Sequence, residues 1–153
     1  MSSKEYLKEW LGWLDFIKCE EDIAKYLRER VKESVIKHEG HPTAFIIMSN
    51  GKMAGTIDFN DIDKSNKIGR IGYWLGEEYQ RKGIMTKALK CLIDYGFKEL
   101  GLNKIEIKAA TDNQKSRALP KRLGFVEEGN LRQAEWLYDH YVDHVIYGLL
   151  REE

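Results

Sequence analysis

The sequence predicts a single α+β domain, and three stretches carry that prediction. Gly69, Ile71, Tyr73 and Leu75 alternate as one face of a half-buried strand does, Gly76 to Lys82 break every periodicity, and apolar residues then recur at helical spacing. A strand therefore runs into a loop that opens a helix. Thr43 to Met48 and Lys52 to Phe59 flank Ser49-Asn50-Gly51, where an Asn-Gly pair supplies the positive backbone angles of a tight hairpin turn. A second strand pair, Leu131 to Tyr138 and Tyr141 to Leu150, meets at Asp139-His140. With 153 residues, 42% hydrophobic and 11% aromatic, the chain is sized for one core spanning 1–153.

Taken in order, Lys4 to Leu14 is an aromatic-rich helical stretch carrying Tyr6, Leu7, Trp10, Leu11, Trp13 and Leu14, interrupted by Gly12. Glu20 to about His38 is a second helix: Glu20, Glu21 and Asp22 complement its N-terminal dipole, and Ile23, Tyr26, Leu27, Val31 and Val35 mark one face. Gly40 and Pro42 end it. After the hairpin, Asp61 to Asn66 is a polar loop and Lys67 to Leu75 the next strand. Ile84 to Leu100 is a helix with Met85, Ala88, Leu89, Leu92, Ile93, Gly96, Phe97 and Leu100 along one face. Lys104 to Ala110 alternates as a strand, with Ile105, Ile107 and Ala109 on one side. Asn113 opens a helix that runs to about Leu123 despite Pro120, and Gly124-Phe125 starts a further strand. There are no repeats, linkers or low-complexity segments.

Lys+Arg and Asp+Glu balance at 25 each, which argues against general attraction to nucleic acid or to an anionic membrane and leaves acidic ligands to be met by local basic patches. Cys19 and Cys91 stand far apart without metal-ligand spacing, in a chain lacking a signal peptide or a long apolar run. That pattern predicts a reduced, cytoplasmic setting, no bound metal, and thiols that act as small packing residues.

The loop before the Ile84 helix points to chemistry. The first amides of a helix lack intrahelical partners, and gathered beside Arg81 and Lys82 they form a site for a phosphate or pyrophosphate; Gly83 lets the ligand approach the backbone. Gln80-x-x-Gly83-x-Met85 resembles the Q/R-x-x-G-x-G/A pattern of the GNAT acyl-CoA N-acyltransferases, with Met85 replacing the final small residue. About thirty residues on, Asn113-x-x-Ser116 followed by Leu123-Gly124-Phe125 is a second motif in the order that family requires. The wider text, Ile71-Gly72-Tyr73-Trp74-Leu75, Gly83-Ile84-Met85-Thr86, Asn113-x-x-Ser116-Arg117-Ala118 and Arg132-Gln133-Ala134-Glu135, resembles the RimL-like ribosomal-protein N-terminal acetyltransferases from Trp10 onward.

The resemblance implies a mixed, mostly antiparallel splayed sheet flanked by helices, with acetyl-CoA as co-substrate. Its pantetheine arm would lie between Gly69 to Leu75 and Ile105 to Ala110. On that reading the cofactor site comprises Tyr73, Trp74 and Leu75, then Gln80, Arg81, Lys82, Gly83, Ile84, Met85 and Thr86, then Asn113, Ser116 and Arg117, with Lys115, Arg117 and Lys121 near the 3′-phosphate. The family's first strand and helix, which precede the aromatic-rich stretch, are expected to be absent. Their absence would expose Thr43 to Met48 as a sheet edge and favour a homodimer.

Many GNAT enzymes place a tyrosine acid seven positions after the asparagine; here that residue is Pro120, which has no proton to give. The resemblance makes Ser116 the proton donor to the coenzyme thiolate and Glu135 the base for the attacking amine. For Ser116 the alternative is a helix cap, and for Glu135 a strand-face carboxylate paired with Arg132. Imidazole is by its ordinary chemistry a better base near neutral pH than a carboxylate, which makes His140 and His144 alternative bases. Trp10, Trp13, Trp136 and Tyr138 are expected to wall the acceptor channel together with Glu135; core packing accounts for Trp10 equally well.

The acceptor expected is the α-amine of a protein N-terminus. An α-amine with pKa near 7.8 is roughly one-seventh neutral at pH 7, and a lysine near 10.4 about four parts in ten thousand, a gap of roughly 3.5 kcal/mol. A polyamine or other small amine stays open, because a site can lower an amine pKa by desolvation. So does a non-catalytic coenzyme A-binding module.

Overall fold

The computed structural model describes residues 43–49, 52–76, 79–80 and 83–153. Six strands and two helices follow in the order β1 (Ala44–Ser49), β2 (Lys52–Asp63), β3 (Ile68–Leu75), α1 (Ile84–Lys98), β4 (Lys104–Ala110), α2 (Gln114–Arg122), β5 (Val126–Leu137) and β6 (His140–Leu150). They form one sheet in the order β1-β2-β3-β4-β6-β5. All neighbours are antiparallel except β3 and β4, which α1 joins as a parallel crossover. This is the mixed, mostly antiparallel sheet that the family resemblance implies. The two helical stretches expected before residue 42, with Cys19, and the Asn50-Gly51 turn lie outside the described residues. The pairing of Ser49 with Lys52 still fixes the register of that hairpin.

The alternation read from the sequence sets the two faces of the sheet. Ile57 and Phe59 of β2, Ile71 of β3, Ile105 and Ile107 of β4, and Val145 and Tyr147 of β6 are buried against Leu89, Leu92 and Ile93 of α1. Leu89, Ile105 and Tyr147 have no exposed surface at all, and burying a side chain of this size contributes roughly 1.5–3 kcal/mol. The intervening β3 and β4 positions carry Arg70, Lys104 and Glu106, where Arg70 Nε donates to Glu106 at 2.9 Å and Lys104 Nζ to Glu128 at 2.6 Å.

Three expectations need correction. Asp61 to Asn66 is not all loop: β2 continues to Asp63, because a bulge between Phe59 and Asp61 resets the register and Asp61 then pairs with Arg70 both across the ladder and through its carboxylate. The last hairpin turns at Tyr138-Asp139, with Leu137 opposite His140, and Tyr138 itself adopts the positive φ of 63° that the turn requires. Cys91 is exposed, since the buried face of α1 runs through Met85, Leu89, Leu92, Ile93 and Gly96, and position 91 falls on the opposite side.

Candidate active site

Strands β3 and β4 are hydrogen-bonded only from Ile68 opposite Lys104 to Ile71 opposite Ile107. Beyond that point they part, so Gly72 to Leu75 and Lys108 to Ala110 present strand edges to each other that no ladder satisfies. A cavity of about 830 Å³ fills the gap, lined by both strand ends, the start of α1 and the exposed turn-side of α2. Its size is that of a small-molecule site.

The start of α1 closes one wall. Gly83 is its N-cap at φ 74°, ψ 6°; among the described residues no side chain caps the helix, and its first turn holds no acidic residue. A left-handed N-cap without a hydroxyl or carboxylate leaves the first amides open, the arrangement an anion uses. Among the described residues, chain neighbours aside, no atom lies within 4 Å of where a Cβ on Gly83 would stand. Gln80, Ile84, Met85 and Thr86 also line the cavity; Arg81 and Lys82 lie outside the described residues. Gln80 ties the loop across the cleft, donating to the Leu75 carbonyl at 3.2 Å and accepting from Lys115 at 3.5 Å.

Helix α2 forms the facing wall. Its cap is Asn113, whose side chain accepts the Ser116 amide at 3.2 Å. Ser116 therefore stands inside the first turn, with its side chain not used as a cap, and it lines the cavity. The basic residues of α2 divide by helical geometry. Lys115 and Arg122, seven apart and so on one face, line the cavity, whereas Arg117 and Lys121 do not. Arg117 is held elsewhere: Nε donates to the Tyr147 hydroxyl at 2.9 Å, one terminal nitrogen to the Thr111 carbonyl at 2.9 Å and the other to Glu127 at 3.1 Å. Arg122 was missed by sequence reasoning, although its seven-residue spacing from Lys115 was a usable signal.

Tyr73, Trp74 and Leu75 all line the cavity. The Tyr73 hydroxyl donates to the Ser116 carbonyl at 3.0 Å, and burial holds that phenol far above its ordinary pKa. Trp74 buries an indole N–H that has no partner among the described residues.

At the far end stand Glu135 and His144, with Nε2 3.3 Å from Oε1. Two register features bring them together. His144 is paired with Ala110 at the end of β4. On β5, the ladder to β6 breaks between Leu131 and Glu135, where Gln133 has φ 47° and its amide donates to Asp143 at 2.7 Å, so the strand resumes with Glu135 opposite Val142. Glu135 thus meets His144 rather than Arg132. His140 lies at the hairpin tip against Asp139, outside the cavity lining. Trp136 is 55% exposed and packs edge-to-face on Tyr141 at 4.9 Å; neither it nor Tyr138 lines the cavity. Trp10 and Trp13 lie outside the described residues.

Comparison with known proteins agrees with this geometry. The acetyltransferase (GNAT) domain family matches residues 1–126. The ribosomal-protein-serine acetyltransferase of Escherichia coli K12 is 38% identical over 147 residues, which is 95% of this chain and 80% of that protein. RimL, a ribosomal L7/L12 alpha-N-protein acetyltransferase solved with coenzyme A, superposes with a TM-score of 0.84 at 32% identity over 97% of this chain and 82% of that one. The microcin C7 self-immunity acetyltransferase MccE, solved with acetyl-CoA and AMP, gives 0.83 at 31% identity over 97% and 81%. A sheet splayed after Ile71, an open helix start at Gly83 and a family match across most of the sequence lead to one conclusion: the chain belongs to the GNAT acetyltransferases and is an acetyl-CoA-dependent N-acetyltransferase.

Proposed function

We propose that the cleft acetylates the α-amine of a protein N-terminus, most specifically that of a ribosomal protein, with Ser116 as acid and Glu135 as base. The observation that carries this is that Ser116, from α2, and the Glu135–His144 pair, from the β5–β6 hairpin, line the same cavity. The residues suit the coenzyme: the unpaired edge of Gly72 to Leu75 can take the amides of a pantetheine arm, and the uncapped first turn of α1, with Arg81 and Lys82, a pyrophosphate. Lys115 and Arg122 are the cations for its 3′-phosphate, and Asn113 contributes the amide that capping leaves over.

When bound, acetyl-CoA supplies an acyl group activated by a thiol leaving group. Ser116 provides a proton at the position of the departing sulfur. Glu135 accepts a proton from the incoming amine and becomes the neutral acid, and His144, 3.3 Å away, orients that carboxylate. An α-amine suits this pair because a sizeable fraction of it is already neutral near pH 7.

The test is coenzyme A release with acetyl-CoA and peptides bearing free or blocked N-termini, with a polyamine alongside. Turnover that follows the free α-amine supports the reading, and turnover on the polyamine alone replaces the acceptor. We further propose a cytoplasmic homodimer, on the two cysteines without metal spacing and on β1 ending the sheet among the described residues. Light scattering that returns a monomer at micromolar concentration would count against the dimer, and location in another compartment by fractionation against the setting.

A further inference from the structure

We propose that Tyr73 is a positioning residue for Ser116, acting through a carbonyl that Pro120 leaves open; this rests on the reading of Ser116 as the acid. In an α-helix the amide of residue 120 would donate to the carbonyl of residue 116. Pro120 sits inside α2, fully buried, and has no N–H; its ring also crowds that carbonyl. The Tyr73 hydroxyl, donating at 3.0 Å, takes the place of the missing donor. The tie crosses the cleft, from the diverging end of β3 to the first turn of the helix that carries Ser116.

The next residue is anchored to β6, on the far side of β4 from β3. Arg117 donates to the hydroxyl of Tyr147 on β6, and Tyr147 has no exposed surface. The first turn of α2 is thus held to β3 and to β6 by two phenols. The Tyr73 ring packs against the core, which fixes its hydroxyl, and burial keeps the phenol protonated and a donor well above neutral pH. A displacement of about 1 Å in a reacting group can cost up to about 10²-fold in rate, so holding residue 116 by its own carbonyl sets where its hydroxyl can deliver a proton.

The experiment is a double-mutant cycle on the full chain with Tyr73→Phe and Pro120→Ala, read as kcat, KM for acetyl-CoA and the urea midpoint. Tyr73→Phe should lower kcat about tenfold while KM for acetyl-CoA stays within about twofold. Pro120→Ala supplies the missing amide, so adding Tyr73→Phe to it should cost less than about threefold. In a Ser116→Ala background Tyr73→Phe should leave kcat where it was. Parental kcat in Tyr73→Phe, or the same loss with and without Pro120→Ala, overturns the proposal. If Ser116→Ala itself turns over like the parent, the acid reading fails, and the tie is judged by stability alone: Tyr73→Phe must lower the urea midpoint less when Pro120→Ala is present, and additive midpoints overturn it. Should Tyr73→Phe alone fail to fold, Pro120→Ala must restore folding, and failure of the pair to fold overturns it equally.

Discussion

Gly83→Val separates backbone strain from ligand exclusion, because Gly101 offers a matched control. Both glycines are left-handed, at φ 74° and 66°, and among the described residues, chain neighbours aside, neither has an atom within 4 Å of a built Cβ. An L-residue in that region costs about 1–2 kcal/mol, more for a β-branched one, so Gly83→Val and Gly101→Val should lose similar stability in urea. Of the two, Gly83 lines the cavity and Gly101 does not. A valine there stands between the open amides of α1 and a pyrophosphate. Losing two charge-assisted hydrogen bonds at about 1.5–3 kcal/mol each removes about 3–6 kcal/mol, or about 10²–10⁴-fold in affinity. Calorimetric titration with coenzyme A should therefore show Gly101→Val binding like the parent and Gly83→Val binding at least a hundredfold more weakly, by the lower of these bounds. Equal affinities in the two variants would refute the placement of the pyrophosphate at this helix start.

Ser116→Ala should keep acetyl-CoA affinity and lose about 10²–10⁴-fold in kcat, checked by single-turnover kinetics beside calorimetry. Glu135→Gln should show a deficit that shrinks as pH rises toward the acceptor's own pKa, because more amine then arrives neutral; a pH-independent deficit would make Glu135 a substrate anchor instead. Arg117→Met should lower the thermal midpoint, with the loss of bonds to Tyr147, Thr111 and Glu127, yet leave coenzyme A affinity unchanged in calorimetry. Tyr73 predicts an alkaline limit. Burial raises its pKa above the ordinary 10.0, so the folded protein keeps a proton that the unfolded chain sheds, and stability is full below that value and falls as pH rises past it. Urea midpoints between roughly pH 9 and 11 should fall less steeply in Tyr73→Phe than in the parent.

The strand, loop and helix around Gly83 were legible because each step changes the sequence period, from alternation at Gly69 to Leu75 to helical spacing after Ile84. The end of β2 was not: Asp61, Ile62 and Asp63 look like a loop, and only the cross-strand partner Arg70 and a bulge make them a strand. The same limit applies at the site. Ser116 and Asn113 share one helical turn, so their relation follows from local spacing, whereas the meeting of Glu135 with His144 depends on a register break that no period encodes. Helical geometry could have told Arg122 from Arg117, since positions 115 and 122 share a face and 117 does not. The exposure of Trp136 was beyond sequence reasoning, because aromatic character alone fits a channel wall, a core or a surface pair equally well.

Where the acetyl group lands tests the assignment of Ser116 and Glu135 to an α-amine acetyltransferase most directly. The protein is incubated with acetyl-CoA and a ribosomal-protein substrate carrying both a free N-terminus and lysines, and the product is sequenced by tandem mass spectrometry. One acetyl group on the α-amine is expected, formed by the parent and lost in Ser116→Ala and Glu135→Gln alike. Acetylated lysines with an unmodified N-terminus, or the same α-acetylation from both variants, would contradict it.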